Sequence, residues 1–262
     1  MSANRDDTAS APGGGVTGGG GWDLPQARVA RLALALGYPY NAPGQSFVFR
    51  DGGVEAFRDS ALAGRTPVLA HGSNRAPSQL ARKFAAFPRA ASVIPVTYIW
   101  LHDYDVVYSA HITRYGAVAS TLHPAPGCRV RVALTWLDDR QLDRMHETEG
   151  NYGFGHLQGV TVTSEAGPSD LGDRIAMYLS DHGCLGLQGA PIALAAVEAR
   201  NRPHRGHTQG QILEALRRHL APDSGFERFV LDAVSDPAIR QERIAGLAKT
   251  AFPSGVPHFR PA

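Results

Sequence analysis

The stretch Pro67-Val68-Leu69-Ala70-His71-Gly72-Ser73-Asn74-Arg75-Ala76-Pro77-Ser78-Gln79-Leu80 holds a short apolar run, a glycine-containing loop and a helix start in succession. Val68-Leu69-Ala70 suits a strand, and Pro77 sits at a first helical position, where its missing N–H is no loss and its fixed φ already fits. Leu80 and Phe84 then share one face of the helix. Between strand and helix, His71-Gly72-Ser73-Asn74 presents backbone N–H groups, and Gly72 permits close approach because it has no side chain. Such a loop is either an anion-binding loop or an ordinary structural turn. It is no phosphate loop, since GxxxxGK[ST] is absent, and no nucleophile elbow, since GxSxG is absent.

On either side of this stretch the chain reads mainly as β, from about residue 67 to 163. Strands are predicted at 92–101, 105–110, 118–122 and 129–135, with turns at His102-Asp103 and Pro124-Ala125-Pro126-Gly127. Three more are predicted at 46–50, before the Asp51-Gly52-Gly53 turn, at 160–163 and at 175–179. A short helix is expected within 22–38, carrying Val29, Leu32, Leu34 and Leu36 and ended by Gly37 and Pro39. Further helices are expected near 192–198, 208–220, 226–234 and 239–249. Strands in series without alternating long helices argue for an α+β class. The expected architecture is a mixed, mostly antiparallel β-barrel or sheet with flanking helices and a helical C-terminal extension. The chain accordingly divides into a tail 1–21, an N-terminal extension 22–65 packed on the core, a central domain 66–196 and a helical extension 197–262. The tail is rich in glycine and carries too little apolar surface to offset the entropy of ordering, so it is expected to be disordered.

At 262 residues, 43% hydrophobic and 19% charged, the chain can bury a sizeable core. A formal charge of +2 gives no basic field for a phosphate backbone, and no apolar run approaches the roughly 18 residues of a membrane span. Neither nucleic acid nor membrane is therefore an expected partner, and nothing points to an oligomeric state. Cys128 and Cys184 are too few for a disulfide framework and lie in no CxxC spacing. Free buried thiols, with a polar start lacking an apolar signal core, suggest a cytoplasmic protein.

Segment 139–149 carries the clearest chemistry. Asp138 is placed to cap a helix, with Gln141 three residues on, and Gly150 follows its end. Leu142, Met145 and Glu149 are spaced three and four apart and share a face, which sets a carboxylate on the apolar side. Glu147 lies about 200° round the helix from both Met145 and Glu149, and so points away. Partial burial and the negative end of the helix dipole both disfavour the charged form of Glu149, the setting of a general base. Alternatively the helix frays before Glu149 and leaves an ordinary surface acid. His204 and His207 lack a carboxylate partner and an HExxH spacing, so a solvated loop is expected there. Neither cysteine has the local signature of a thiol nucleophile, and Ser73 and His71 stand too close in a tight loop to act as a hydrolase pair.

Four segments occur in a telling order: Val68-Leu69-Ala70-His71-Gly72-Ser73-Asn74, Asp103-Tyr104-Asp105-Val106-Val107-Tyr108-Ser109, Tyr115-Gly116-Ala117-Val118-Ala119-Ser120-Thr121, and Leu142 through Glu149-Gly150. Together they resemble the γ-glutamylcyclotransferase-like family. That family shows a strand ending in an aromatic-Gly-Ser-Asn loop, an edge of small residues, and a helix closing on the Glu-Gly that carries the catalytic acid. Tyr178 and Gly189-Ala190-Pro191-Ile192 look similar to its late tyrosine-rich strand and Pro-Ile pair. The resemblance covers about residues 67–196, roughly half of the chain. It departs at His71, where the family has tyrosine, and at Arg75, where it has an apolar residue.

The resemblance implies an enzyme that cleaves a γ-glutamyl amide with the substrate's own α-amine, giving 5-oxoproline and a free amine or amino acid. Glu149 is then the general acid and base, and the N–H groups of Gly72, Ser73 and Asn74 hold a carboxylate or the developing oxyanion. Losing one such donor typically costs about 3 kcal/mol. His71, Arg75 and Tyr152 complete the implied substrate-binding set. Arg75 is either a contact for a further acidic group or an exposed helix-start cation, and Tyr152 is either a substrate contact or packing. No metal or cofactor is required, and the implied partner is a small-molecule γ-glutamyl substrate. Two alternatives stand beside it: the same carboxylate acting on another amine-bearing metabolite, and a non-catalytic module of the same fold binding an anion or amino acid.

Overall fold

The computed structural model describes residues 22–88, 92–171, 173 and 175–262; the expected disordered tail 1–21 lies outside the described residues. Helix α1 (Arg28–Leu36) ends at Gly37, as its glycine suggests, but buries Leu34 and Ala35 and leaves Val29 78% exposed. Strands β1 (Phe47–Arg50) and β2 (Gly53–Ala56) form a hairpin whose turn residues, Asp51 and Gly52, both have positive φ. A two-residue turn matched to strand twist requires that conformation. Strand β3 (Thr66–Ala70) and helix α2 (Pro77–Lys83) stand where the sequence puts them.

The middle of the chain differs from expectation in an instructive way. Two long strands, β4 (Ile94–Ile112) and β5 (Val118–Leu137), replace the four shorter ones. The two expected turns do not end strands; they face each other across the ladder between the His102↔Arg129 and Tyr104↔Pro124 pairs, where the register shifts. Asp103 has φ 63° and its carboxylate accepts the Gly127 N–H at 2.8 Å, so the turn-forming residues build a bulge that bends the pair without breaking it. Helix α3 (Asp139–Thr148) follows, then β6 (Tyr152–Leu157), β7 (Val162–Ser164) and β8 (Ile175–Ser180). Strand β6 is absent from the sequence-based expectation because glycine weakens its signal. A Cβ at Gly155 would collide with the carbonyl of Arg260, so the glycine lets the C-terminal strand approach.

Short strands β9 (Gly186–Leu187), β10 (Ala190–Pro191), β11 (Ala193–Leu194), β12 (Ala199–Arg200) and β13 (Gly206–His207) lead to helices α4 (Gln209–Leu220), α5 (Phe226–Ser235) and α6 (Pro237–Ala248) and to strand β14 (Phe259–Pro261). The helix expected near 192–198 is therefore replaced by β11 and a turn, because its main chain pairs with the edge of β4: Tyr108 N–H donates to Ile192 at 2.9 Å, and Ala193 opposes Val107.

The large sheet runs β13-β11-β4-β5-β3-β8-β6-β14, with β1, β2, β7 and β12 pairing beside this path. β3 is parallel to β8 and β11 to β13, and the other pairings are antiparallel. The class is α+β with a mixed sheet, and among the described residues the sheet does not close into a barrel. Segment 22–65 contributes β1 and β2 to that sheet, and segment 197–262 contributes three strands besides its helices.

Alternate residues along the strands face different apolar clusters. Leu69, Val132 and Met177 join one cluster with residues of α1, α4, α5 and α6, including Ala35, Ile212, Phe229 and Ile244. Val68, Ala70 and Tyr178 join another with Leu80 in the middle of α2, Phe84 just past its end, and Met145 of α3. Burial on both faces explains why β3 reads as a continuous apolar run. The loop after β3 and the end of α3 meet on the α2–α3 side.

Asp105 is fully buried and is held by Arg202, with Nε at 2.9 Å from Oδ2 and Nη2 at 3.0 Å from Oδ1. This pair pins the 197–207 segment to β4. Replacing Arg202 by Met leaves an uncompensated buried charge, and urea unfolding is expected to show a loss of about 3–5 kcal/mol; a change under about 1 kcal/mol contradicts that role.

Candidate active site

Helix α3 begins on the capping box expected from its sequence: Asp138 accepts the Gln141 N–H at 2.9 Å, and Gln141 Oε1 accepts the Asp138 N–H at 3.1 Å. With that start fixed, Met145 is fully buried, and the chain leaves the helix at Glu149, whose φ and ψ are no longer helical. The helix thus stops one residue before the acid, yet the Glu149 side chain is only 11% exposed. Glu147 is 61% exposed and bonded to Arg144 at 2.6 Å, so the two acids diverge as their spacing predicts.

The immediate partner of Glu149 is one the sequence did not announce. Lys83, at the end of α2, is 6% exposed; its Nζ pairs with Glu149 Oε1 and lies 3.3 Å from Met145 Sδ. Its signal in the sequence was its place on the apolar face, three residues after Leu80 and beside Phe84. The largely buried carboxylate of Glu149 is therefore met by a countercharge. Asn74 Nδ2 donates to the same Oε1 at 2.9 Å. Oε2 accepts no hydrogen bond among the described residues, so one carboxylate oxygen is anchored twice and the other is open.

Gly72 and the single helical turn Ser73–Arg75 form the loop expected after β3. The N–H groups of Gly72, Ser73 and Asn74 find no acceptor among the described residues. A Cβ at Gly72 would collide with Tyr38 Oη and come within 2.8 Å of Ser120 Oγ, which explains the glycine. Those two hydroxyls belong to a buried chain of hydrogen bonds. Tyr38 Oη and Ser120 Oγ are 2.7 Å apart, Ser120 Oγ lies 3.1 Å from His71 Nδ1, and His71 Nε2 lies 3.1 Å from the Tyr178 carbonyl. A carbonyl only accepts, so Nε2 carries the proton, Nδ1 accepts from Ser120, and Ser120 accepts from Tyr38. The Ser120 N–H donates to Tyr38 Oη at 3.0 Å. Burial pushes the His71 pKa down, consistent with a neutral ring.

A cavity of about 320 Å³ brings most of the expected residues together. His71, Gly72, Ser73, Asn74, Glu149 and Tyr152 line it, joined by Lys83, Tyr38, Tyr115, His111, Arg114 and Trp22, which the sequence did not single out. His71 lines the cavity with both ring nitrogens engaged, so it supports the loop. Tyr152 donates its hydroxyl to the Ser120 carbonyl at 3.0 Å and contributes its ring to the wall. Arg75 is not in the lining: its guanidinium reaches the Ala196 carbonyl at 3.4 Å, and burial lowers its pKa.

The cysteines are buried and free, with burial pushing Cys128 up to about 11 and Cys184 up to about 12. Among the described residues no three of His, Cys, Asp and Glu gather as a metal site would need, and no helix is long and apolar enough to cross a membrane. No protein-family model, curated protein or solved structure matches the chain.

Two expectations follow from these contacts. Gly72→Ala is expected to destabilise the chain, and part of that cost should vanish in a Tyr38→Phe background, because the colliding hydroxyl is gone. Denaturant unfolding of both single variants and the double should show a coupling of about 1 kcal/mol; strict additivity contradicts the packing described.

Burial lowers the pKa of His71, and burial with His182 and Arg240 nearby lowers that of His111 to about 3, both from an ordinary 6.5. The unfolded chain binds protons that the folded imidazoles refuse. The stability tied to their neutral state is therefore complete above about pH 6.5 and falls below it, by up to about 1.4 kcal/mol per pH unit for each ring. Urea midpoints between about pH 7 and pH 5 should decline, and less steeply in His111→Phe; equal slopes in the two proteins contradict a neutral buried His111.

Proposed function

We propose that the chain is a γ-glutamylcyclotransferase-type enzyme, which converts a γ-glutamyl amide into 5-oxoproline and a free amine or amino acid. The observation that supports this most is the two-sided engagement of Glu149. Its Oε1 is held by Asn74 and Lys83, its Oε2 is open, and it shares one cavity with the unpaired N–H groups of the Gly72-Ser73-Asn74 loop.

In this reading Glu149 takes a proton from the substrate's α-ammonium. The freed amine attacks the γ-carbonyl carbon, and the loop N–H groups accept the charge that develops on the carbonyl oxygen, a stabilisation typically worth about 3 kcal/mol per donor. As the carbonyl re-forms, the bond to the leaving nitrogen breaks and that nitrogen takes the proton from Glu149. The ring nitrogen sheds its remaining extra proton to solvent, where the released amine gains one. Nucleophile and electrophile belong to one molecule, so the cavity has only to fold the substrate into its reactive shape and move protons. Lys83 fixes the carboxylate in place and competes with the α-ammonium for it.

That competition also favours a second reading, in which the same site binds an amino-acid-like ligand without turning it over. Glu149→Gln separates the two. Loss of the general acid and base is expected to lower 5-oxoproline release about 10²–10⁴-fold, and unchanged release discards the role. The same substitution leaves the Lys83 ammonium unpaired and is expected to cost stability. Lys83→Met with Glu149→Gln should recover that stability and not the activity. A γ-glutamyl amide bound by the unsubstituted chain with no 5-oxoproline formed supports the binding module.

A further inference from the structure

A second cavity, of about 410 Å³, shares no lining residue with the candidate active site. Its volume is within the range of small-molecule sites. Three arginines line it, Arg50, Arg58 and Arg65, against one acid among the described residues, Glu55. The antiparallel register of β1 and β2 sets Val48 opposite Glu55, and Arg50 lies two residues on along β1, so these three lining residues share one face of the hairpin. Arg50 Nε accordingly meets Glu55 Oε1 at 2.9 Å. Arg65, just before β3, is tied to the same recess through Gln141. Its Nη1 donates to Gln141 Oε1 at 2.8 Å, and Gln141 Nε2 donates at 3.0 Å to the carbonyl of Val93, a further lining residue.

Few of the donors on this wall are used. Each guanidinium carries five N–H groups and no acceptor. Among the described residues Arg50 pairs through Nε and Arg65 donates through Nη1, and no other nitrogen of either makes a hydrogen bond. The Arg58 guanidinium makes neither an ion pair nor a hydrogen bond there, and the Ser60 hydroxyl, also in the lining, has no partner. Acceptors are scarce by comparison. Glu55 turns one oxygen to Arg50, while Asp138, 3.9 Å from Arg65, lies outside the lining and caps α3 with its Oδ1. Burial lowers the Arg65 pKa, and Asp138 offsets that only in part. Excess positive charge and unused donors from three separate segments suit an anion with several oxygens.

We propose that Arg50, Arg58 and Arg65 form a second ligand site, which takes a phosphate dianion, free or carried by a small metabolite. Such a group brings two charges and at least three acceptor oxygens to donors on three arginines, where a carboxylate brings one charge and two oxygens. The site is independent of the γ-glutamyl reading, since it shares no residue with the cavity of Glu149.

The test is calorimetric titration of the full chain at about pH 8, where a phosphate monoester is a dianion, with inorganic phosphate, phenyl phosphate and benzoate. Both phosphates are expected to bind, and benzoate about tenfold or more weakly than phenyl phosphate. Tighter binding of phenyl phosphate than of inorganic phosphate assigns the site to a phosphorylated metabolite, and the reverse order to free phosphate. Arg50 and Arg58 are both exposed, so their substitution leaves the core untouched. Arg58→Gln should weaken phosphate binding about tenfold, and its combination with Arg50→Gln should abolish it. Arg114→Gln, in the other cavity, should leave it unchanged. Four results overturn the site: no binding of either phosphate, equal binding of benzoate and phenyl phosphate, full affinity in the Arg50→Gln, Arg58→Gln double variant, or affinity lost in Arg114→Gln instead.

Discussion

Taking the Glu149 carboxylate and the Lys83 ammonium out of water together is the constraint on which the rest of the site depends. Two charges so nearly buried are tolerated only where each satisfies the other and further hydrogen bonds finish the task. Here Asn74 supplies one, and Met145 Sδ lies against the ammonium. The pair therefore joins three separately positioned elements: the loop after β3, the end of α2 and the end of α3. Because α2 follows directly from the loop, fixing Lys83 also fixes the peptide groups of Gly72, Ser73 and Asn74 relative to the carboxylate. One oxygen of Glu149 serves that architecture, and the other accepts no hydrogen bond among the described residues.

The opposite side of the loop is fixed by a different kind of contact. Tyr38, just past α1, reaches across to Ser120 of β5, and the two hydroxyls lock His71 in one tautomer against the Tyr178 carbonyl. Gly72 fits beneath them because it has no side chain. A neutral, fully bonded imidazole is a rigid spacer, so the loop is held by an ion pair on one side and by a buried polar chain on the other. Such a cradle is preorganised, and in the proposed reaction a preorganised set of donors would stabilise developing charge without reorganising.

How much of this could be read from the chain differs from element to element, for physical reasons. Local rules carried the strand–loop–helix at Val68 to Leu80 and the capping box of α3, because a proline at a first helical position and an Asp-x-x-Gln pair act on their own neighbours. The divergence of Glu147 and Glu149 was equally legible, since it follows from helical geometry alone. The bulge at Asp103 and Gly127 was not, because turn chemistry looks the same locally whether it ends a strand or bends one. Strand β6 was hidden by its glycines, of which Gly155 lets β14 approach. Lys83, Tyr38, His111 and Arg114 enter the site only through tertiary placement. A lysine on an apolar face, or a tyrosine after a helix, carries no mark of the distant residue it meets. Arg75 shows the converse: next to the loop in sequence, it turns toward Ala196 and away from the cavity.

The most direct measurement is a crystal structure of Glu149→Gln with an intact γ-glutamyl amide bound. The glutamyl α-amine should lie beside the residue-149 side chain, with the γ-carbonyl oxygen or the α-carboxylate on the N–H groups of Gly72 to Asn74. A ligand seated outside that cavity, or one whose amine faces away from residue 149, would contradict the shared site.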